Sequence, residues 1–290
     1  MLLLSGTALD AGHTVGEDQY EPGKPLDEQA HSHRVNLTLA NLNLNVRLGL
    51  TSRFGISVFV PARTVRVEAA FHDENDQEIP NYESIHHRTE TLTGLGDVRL
   101  SGHWRALEGR GVGAWILDLR LGFSLPTGST EDDPFVLGAS GHVHQHIFFG
   151  TGTVDPAFGL EASRAIGAWR VQTFARAQLP LYSNSYGYRG PRLVAAGFGL
   201  SRGLGTSGVR VMAQASTYHE FAATWSGKPA NNSGRTDAVG SLGVTYRLTE
   251  SIGLLAMLRV PKVLRAQGGQ LALAPTGVLG VTMGGQAWKP

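Results

Sequence analysis

Three features of this sequence predict an all-β fold: a single transmembrane antiparallel β-barrel of about twelve strands, with 1–290 as one domain. Apolar and polar residues alternate with a period of two over stretches of roughly ten residues, the length of a bilayer-crossing strand rather than an ordinary soluble one. Short turns alternate with long loops along the chain, as in barrels with short periplasmic turns and long extracellular loops. Composition removes the competitors. The 290 residues hold no cysteine and 38 glycines, with 17% charged residues and a net charge of +1. No disulfide framework, zinc finger or thioredoxin-like motif can be built without cysteine. The glycines follow no collagen period, and no apolar run approaches the ~18 residues of a spanning helix.

The elements follow in order. Met1-Leu2-Leu3-Leu4 is too short for a signal-peptide core, and no basic residue precedes Lys24. An even strand count makes this stretch the first strand, about 1–9, with the signal peptide absent from this numbering. Tight turns are expected at 51–55, 108–111, 166–168, 205–208 and 249–251, each rich in residues that tolerate turn dihedrals. Long loops fall near 10–32, 70–93, 126–150, 182–190, 219–236 and 263–269. Between them, Val98, Leu100, Gly102, Trp104 and Ala106 alternate with Arg99, Ser101, His103 and Arg105. Trp115 to Leu125 and Val171 to Leu179 repeat the pattern. Phe54, Trp104, Trp115, Trp169 and Tyr246 gather beside the short turns, as an interfacial girdle requires. The apolar phase slips by one near Ala40–Asn41 and Pro61, which predicts a bulge. Pro275 argues against regular pairing in the last strand.

Several motifs are similar to those of a known family. Leu48-Gly49-Leu50-Thr51-Ser52-Arg53-Phe54-Gly55 with Val60-Pro61, Gly94-Leu95-Gly96-Asp97, Leu125-Pro126-Thr127-Gly128 and Gly150-Thr151-Gly152-Thr153-Val154-Asp155 stand in order. They resemble a family of bacterial outer-membrane barrel transporters grouped with the MetA pathway of phenol degradation. The resemblance implies an outer-membrane barrel and a transport role. The ending Trp288-Lys289-Pro290 departs from the aromatic C-terminus common in such barrels.

With apolar faces turned to lipid, the lumen receives Arg47, Arg66, Arg99, Arg105, Arg120, Arg170, Arg176, Arg210 and Arg247, against Glu68, Asp118 and Glu161. Asp97 and Asp155 stand at strand starts. Arginine outnumbers lysine twenty-one to four, and guanidinium forks suit a crowded polar interior. Such a lining either favours anions in a narrow passage for a small solute or forms a salt-bridge network that fills the barrel.

The loops carry the opposite sign. Asp10, Glu17, Asp18, Glu21, Asp27 and Glu28 crowd the first, and Asp73, Glu74, Asp76, Glu78, Glu83 and Glu90 the second; Glu131, Asp132 and Asp133 lie in the third. Such a rim suits bridging to lipopolysaccharide. Ten of eleven histidines also fall in loops or at their edges, and only His103 is mid-strand. His142, His144 and His146 would share one face of an extended segment, with His86 and His87 nearby in space. Imidazoles in that pattern point to zinc or copper, and the acidic loops to calcium. The alternative is a closed barrel that binds metal or docks a protein partner at this face. No hydrolase, metalloprotease or phosphate-loop motif is present. His103 with Ser101 is the one mid-strand candidate for catalysis, and both face the lumen, so no enzyme is expected. Inward-facing basic residues offer no nucleic-acid surface.

Overall fold

The computed structural model describes residues 2–16, 32–73, 75–80, 87–109, 113–144, 146–230, 233–266 and 272–284. Its strands are β1 (Leu2–Gly16), β2 (Ser32–Gly49), β3 (Phe54–His72), β4 (Glu90–Leu95), β5 (Val98–Glu108), β6 (Trp115–Leu125), β7 (Asp155–Ile166), β8 (Trp169–Gln178), β9 (Tyr188–Arg189), β10 (Leu193–Gly203), β11 (Val209–Glu220), β12 (Thr224–Trp225), β13 (Lys228–Pro229), β14 (Arg235–Arg247), β15 (Ile252–Ala266), β16 (Ala272–Leu273) and β17 (Thr276–Met283), with one helix, α1 (Pro134–Ala139). Twelve strands form one antiparallel succession, β1-β2-β3-β5-β6-β7-β8-β10-β11-β14-β15-β17. β1 pairs with β2 from Leu2↔Val46 to Gly16↔Ser32 and with β17 from Leu2↔Met283 to Ala8↔Gly277. The ladder therefore returns on itself, which leaves no open edge. The first strand is longer than the expected 1–9. Pro275 lies just before β17, where its missing N–H interrupts no ladder bond.

The short turns at 51–55, 166–168, 205–208 and 249–251 hold as expected, and most of the one at 108–111 lies outside the described residues. In two of them a threonine hydroxyl closes the turn: Thr51 accepts from the Arg53 and Phe54 N–H groups, and Thr249 from those of Ser251 and Ile252. Such side-chain turns are favoured by Ser and Thr. Above them Phe54, Trp104, Trp115, Trp169 and Tyr246 are all exposed, and the Phe54 and Trp104 rings stack at 6.1 Å. Arg164 lies over the Trp115 ring and Arg202 over Trp169. The outer wall above carries Leu42, Leu121, Phe158, Phe198, Leu242, Leu258 and Leu279, the apolar band of a barrel in lipid.

The expected bulge in the second hairpin is absent. β2 and β3 pair from Ser32↔His72 to Gly49↔Gly55 without a register shift. What inverts is the environment. Toward the short turns Leu42, Leu48, Phe54 and Ile56 point outward; toward the loops Val35, Val65 and Val67, of the opposite parity, are buried inside. Irregularity lies instead in the partner strand, broken at Gly96–Asp97 between β4 and β5, which pair with the upper and lower parts of β3. Pro61 sits beside the break, and its carbonyl accepts from the Gly96 N–H at 2.8 Å.

The long-loop end is packed. Val35, Val65 and Val67 surround Phe149, with Leu37, Leu39, Leu92 and Ile147 against them. Ala223, Trp225 and Ala230 pack with Phe148 and Tyr188, where β9, β12 and β13 form a small sheet. Consecutive residues Ile147-Phe148-Phe149 thus join both clusters, and the β6–β7 connection folds into the mouth of the barrel. Burial pushes the Tyr188 phenol up to about 12, with Glu220 and Asp155 adding to the effect.

Candidate functional site

Strand alternation within the closed ring decides which side chains reach the lumen. On β2 and β3 the inward set is Arg47, Ser57, Phe59 and Arg63. β5 contributes Arg99, His103 and Arg105; β6 Asp118 and Arg120; β7 Glu161; β8 Arg170, Phe174 and Arg176. Arg210 on β11 and Arg247 at the end of β14 complete the set near the short-turn end. Two expected members do not belong. Arg66 and Glu68 share the parity opposite to buried Val65 and Val67 and lie outside, 60% and 53% exposed, paired at 2.7 Å. Their polarity reflects water outside the upper barrel rather than a lumen. Arg63 is the residue the sequence reading missed. Carrying the parity of Phe59 through Pro61 without a slip would have found it.

The inner arginines differ in their partners. Arg105 is neutralised: its Nε donates to Asp118 at 3.2 Å, and its Nη1 lies 3.6 Å from Glu108. Arg235 is bound to Asp237 at 2.8 Å. Arg210 donates to the Ser201 hydroxyl at 3.3 Å. Arg63, Arg99, Arg120 and Arg176 make no ion pair among the described residues. Arg99 lies over the Phe59 ring at 4.5 Å and Arg176 over Phe174 at 5.0 Å. Arg120 donates from Nε to His103 Nδ1 at 3.2 Å. Since guanidinium only donates, Nδ1 is the acceptor, and Nε2–H donates to the Ser57 hydroxyl at 2.6 Å. This arrangement opposes catalysis. A serine–histidine pair needs an acceptor, ordinarily a carboxylate, at the far ring nitrogen, and here that place is taken by a cationic donor. Ser57, not Ser101, is the hydroxyl in contact.

The motifs that carry the family resemblance converge in space. Asp97 Oδ1 accepts from the Gly128 N–H at 3.0 Å, and its Oδ2 from the Thr151 N–H at 2.9 Å. The Thr151 hydroxyl lies 3.0 Å from Asp97 and 3.1 Å from Asp155. Thr153 donates to Asp155 Oδ1 at 2.6 Å, and the Gln178 amide donates to Asp155 Oδ2 at 3.1 Å. Thr127 accepts from the Val98 N–H and donates to the Gly96 carbonyl. A Cβ on Gly128 would stand 2.5 Å from the Phe149 backbone, so glycine is required there. These residues tie both ends of the inward-folded loop to the β4–β5 break.

His142, His144 and His146 follow α1 in a segment that is not a strand. His144 Nδ1 bonds the His142 carbonyl at 2.8 Å, which turns the chain, and its Nε2 lies 3.1 Å from His146 Nε2. His87 lies against His33, ring centroids 4.6 Å apart; His86 is outside the described residues. Among the described residues no group of three or more His, Cys, Asp or Glu gathers for a metal. Parts of the acidic rim have structural work. Asp76 pairs with Arg34, Asp73 accepts from the Asn75 and Gln77 N–H groups, and Asp133 caps α1. Most of the acidic residues of the first loop lie outside the described residues.

No family model matches the chain, and no curated protein matches it in sequence. Among solved structures, an outer membrane channel from Pseudomonas putida F1 superposes with a TM-score of 0.60 at 13% identity, covering 97% of this chain and 94% of that one. The transport unit of the autotransporter AIDA-I from Escherichia coli superposes with a TM-score of 0.51 at 10% identity, covering 98% and 90%. At these identities the likeness is one of fold, and the fold is that of a bacterial outer-membrane β-barrel.

Proposed function

We propose that the chain is a passive outer-membrane channel for small anionic solutes. The observation that carries this reading is the surplus of inner-wall arginines over inner-wall carboxylates, four of these arginines making no ion pair among the described residues. A wall of fixed positive charge in a narrow, partly desolvated passage raises the local concentration of anions and repels cations. The similar Pseudomonas putida structure is described as a channel, which agrees in kind. The reading calls for outer-membrane lipid and lipopolysaccharide as surroundings and for no catalysis.

Planar-bilayer recording of the refolded protein tests it. Discrete conductance steps with an anion-selective reversal potential are expected under a salt gradient, and Arg120→Glu or Arg176→Glu should shift that potential toward cations. Cation selectivity in the unaltered protein would refute the reading.

One observation favours a second reading. Phe149 and its neighbours fill the mouth, and a barrel stoppered there would conduct nothing. Its function would then rest on the loop face, as a docking or metal-binding surface. Insertion without conductance is the result that selects it.

A further inference from the structure

We propose that Arg99, Arg120 and Arg176 form a discrete lumenal binding site for a doubly charged oxyanion, a group of the phosphate or sulfate type. This deepens the anion-passage reading and rests on it. The three guanidiniums come from β5, β6 and β8, and the register sets them on one patch of wall. Arg120 pairs with Gly159, and Gly159 with Arg176, so the two arginines flank a position with no side chain. Each of the three interacts electrostatically with the other two. Arg47 and Arg63 add positive charge from β2 and β3. Glu161 acts electrostatically on Arg120 and Asp97 on Arg99, and neither makes an ion pair with it among the described residues.

The partners of these three residues are unusual in kind. Phe59 holds Arg99, His103 holds Arg120 and Phe174 holds Arg176, and each of the three is neutral in these contacts. A ring face or an imidazole nitrogen orients a guanidinium without cancelling its charge. The contrast with Arg105 and Arg235, which carry carboxylates in the same barrel, shows that pairing is available to this fold and not used here. Like charges oriented together repel unless something of opposite sign enters. One chloride answers one of three charges. A tetrahedral dianion answers two and offers several oxygens to the remaining N–H forks, whose planar geometry matches them.

Sulfate is the probe, because it stays doubly charged across the working pH range. Calorimetric titration of refolded protein at constant ionic strength should give one saturable site per barrel. In bilayers held in chloride, added sulfate should lower single-channel conductance along the same isotherm. Arg120→Gln and Arg176→Gln should each weaken sulfate about tenfold or more, as expected for loss of one charge-assisted fork. Arg202→Gln, on the outer belt, should leave the isotherm unchanged, and far-UV circular dichroism verifies that each variant folds. Sulfate binding that never saturates, or that is equal in Arg120→Gln and the parent, overturns the site. Anion-selective conductance without sulfate saturation sinks the site alone. Arginine-dependent sulfate binding in a barrel that conducts nothing sinks the passage alone.

Discussion

Arg120 illustrates how much of the lumen is decided one residue at a time. Its side chain lies across Gly159, where an added Cβ would stand 3.2 Å from the Arg120 Cβ. Gly159→Val should therefore push Arg120 off the wall into the lumen and lower single-channel conductance at least about twofold, a volume effect of the kind dense packing imposes. An unchanged conductance would mean the passage runs elsewhere. His103 is the complementary test. Its removal in His103→Ala strips Arg120 of its acceptor and Ser57 of its donor, and unmade bonds at a buried site cost about 1–3 kcal/mol each. Denaturant unfolding should show a loss of that order. A neutral result would mean that water replaces the imidazole.

The β6–β7 connection is the element whose behaviour matters most. It is pinned at its base by Asp97, and beside that base the Phe149 ring is buried against Val35, Val65 and Val67. Phe149→Ala removes the ring that fills the space between Val35, Val65 and Val67. Deleting a buried phenylalanine costs about 3–5 kcal/mol in a core, and the low end suits a cluster at a barrel mouth. Conductance should rise as the loop loosens; conductance unchanged from the parent would exclude the loop as an obstruction. The strands, turns and girdle were legible in the sequence because lipid and turn geometry constrain each residue locally. The strand positions of Arg99, Arg105, Arg120 and Arg176 were legible for the same reason. Arg66 and Glu68 were misplaced because alternation tells which residues share a face and not which solvent that face meets. The loop contacts were illegible because they join residues far apart in the chain. The Gly94–Asp97, Leu125–Gly128 and Gly150–Asp155 motifs could be recognised as units, but their joint role as an anchor needed the fold.

At the scale of the whole molecule, the chain is a closed ring with an apolar outer band and a folded-in cap. β2 and β3 are 18 and 19 residues long. At about 3.3 Å per residue, even tilted near 40°, they stand some 20 Å taller than an apolar band of about 25 Å. Because the chain has no native cysteine, single cysteines can map this height. On intact cells producing the protein, Arg66→Cys should react with a membrane-impermeant maleimide, and Leu42→Cys should not. Equal labelling of both would place the waterline elsewhere. The reversal of faces along this hairpin also has a mechanical consequence. Sliding the barrel inward would drag Arg66 and then Glu68 toward hydrocarbon, while sliding it outward would strip lipid from Leu42. The tall side thus works as a flange on a pipe: a stop that fixes how deep the cylinder is seated, independently of anything that passes through its bore.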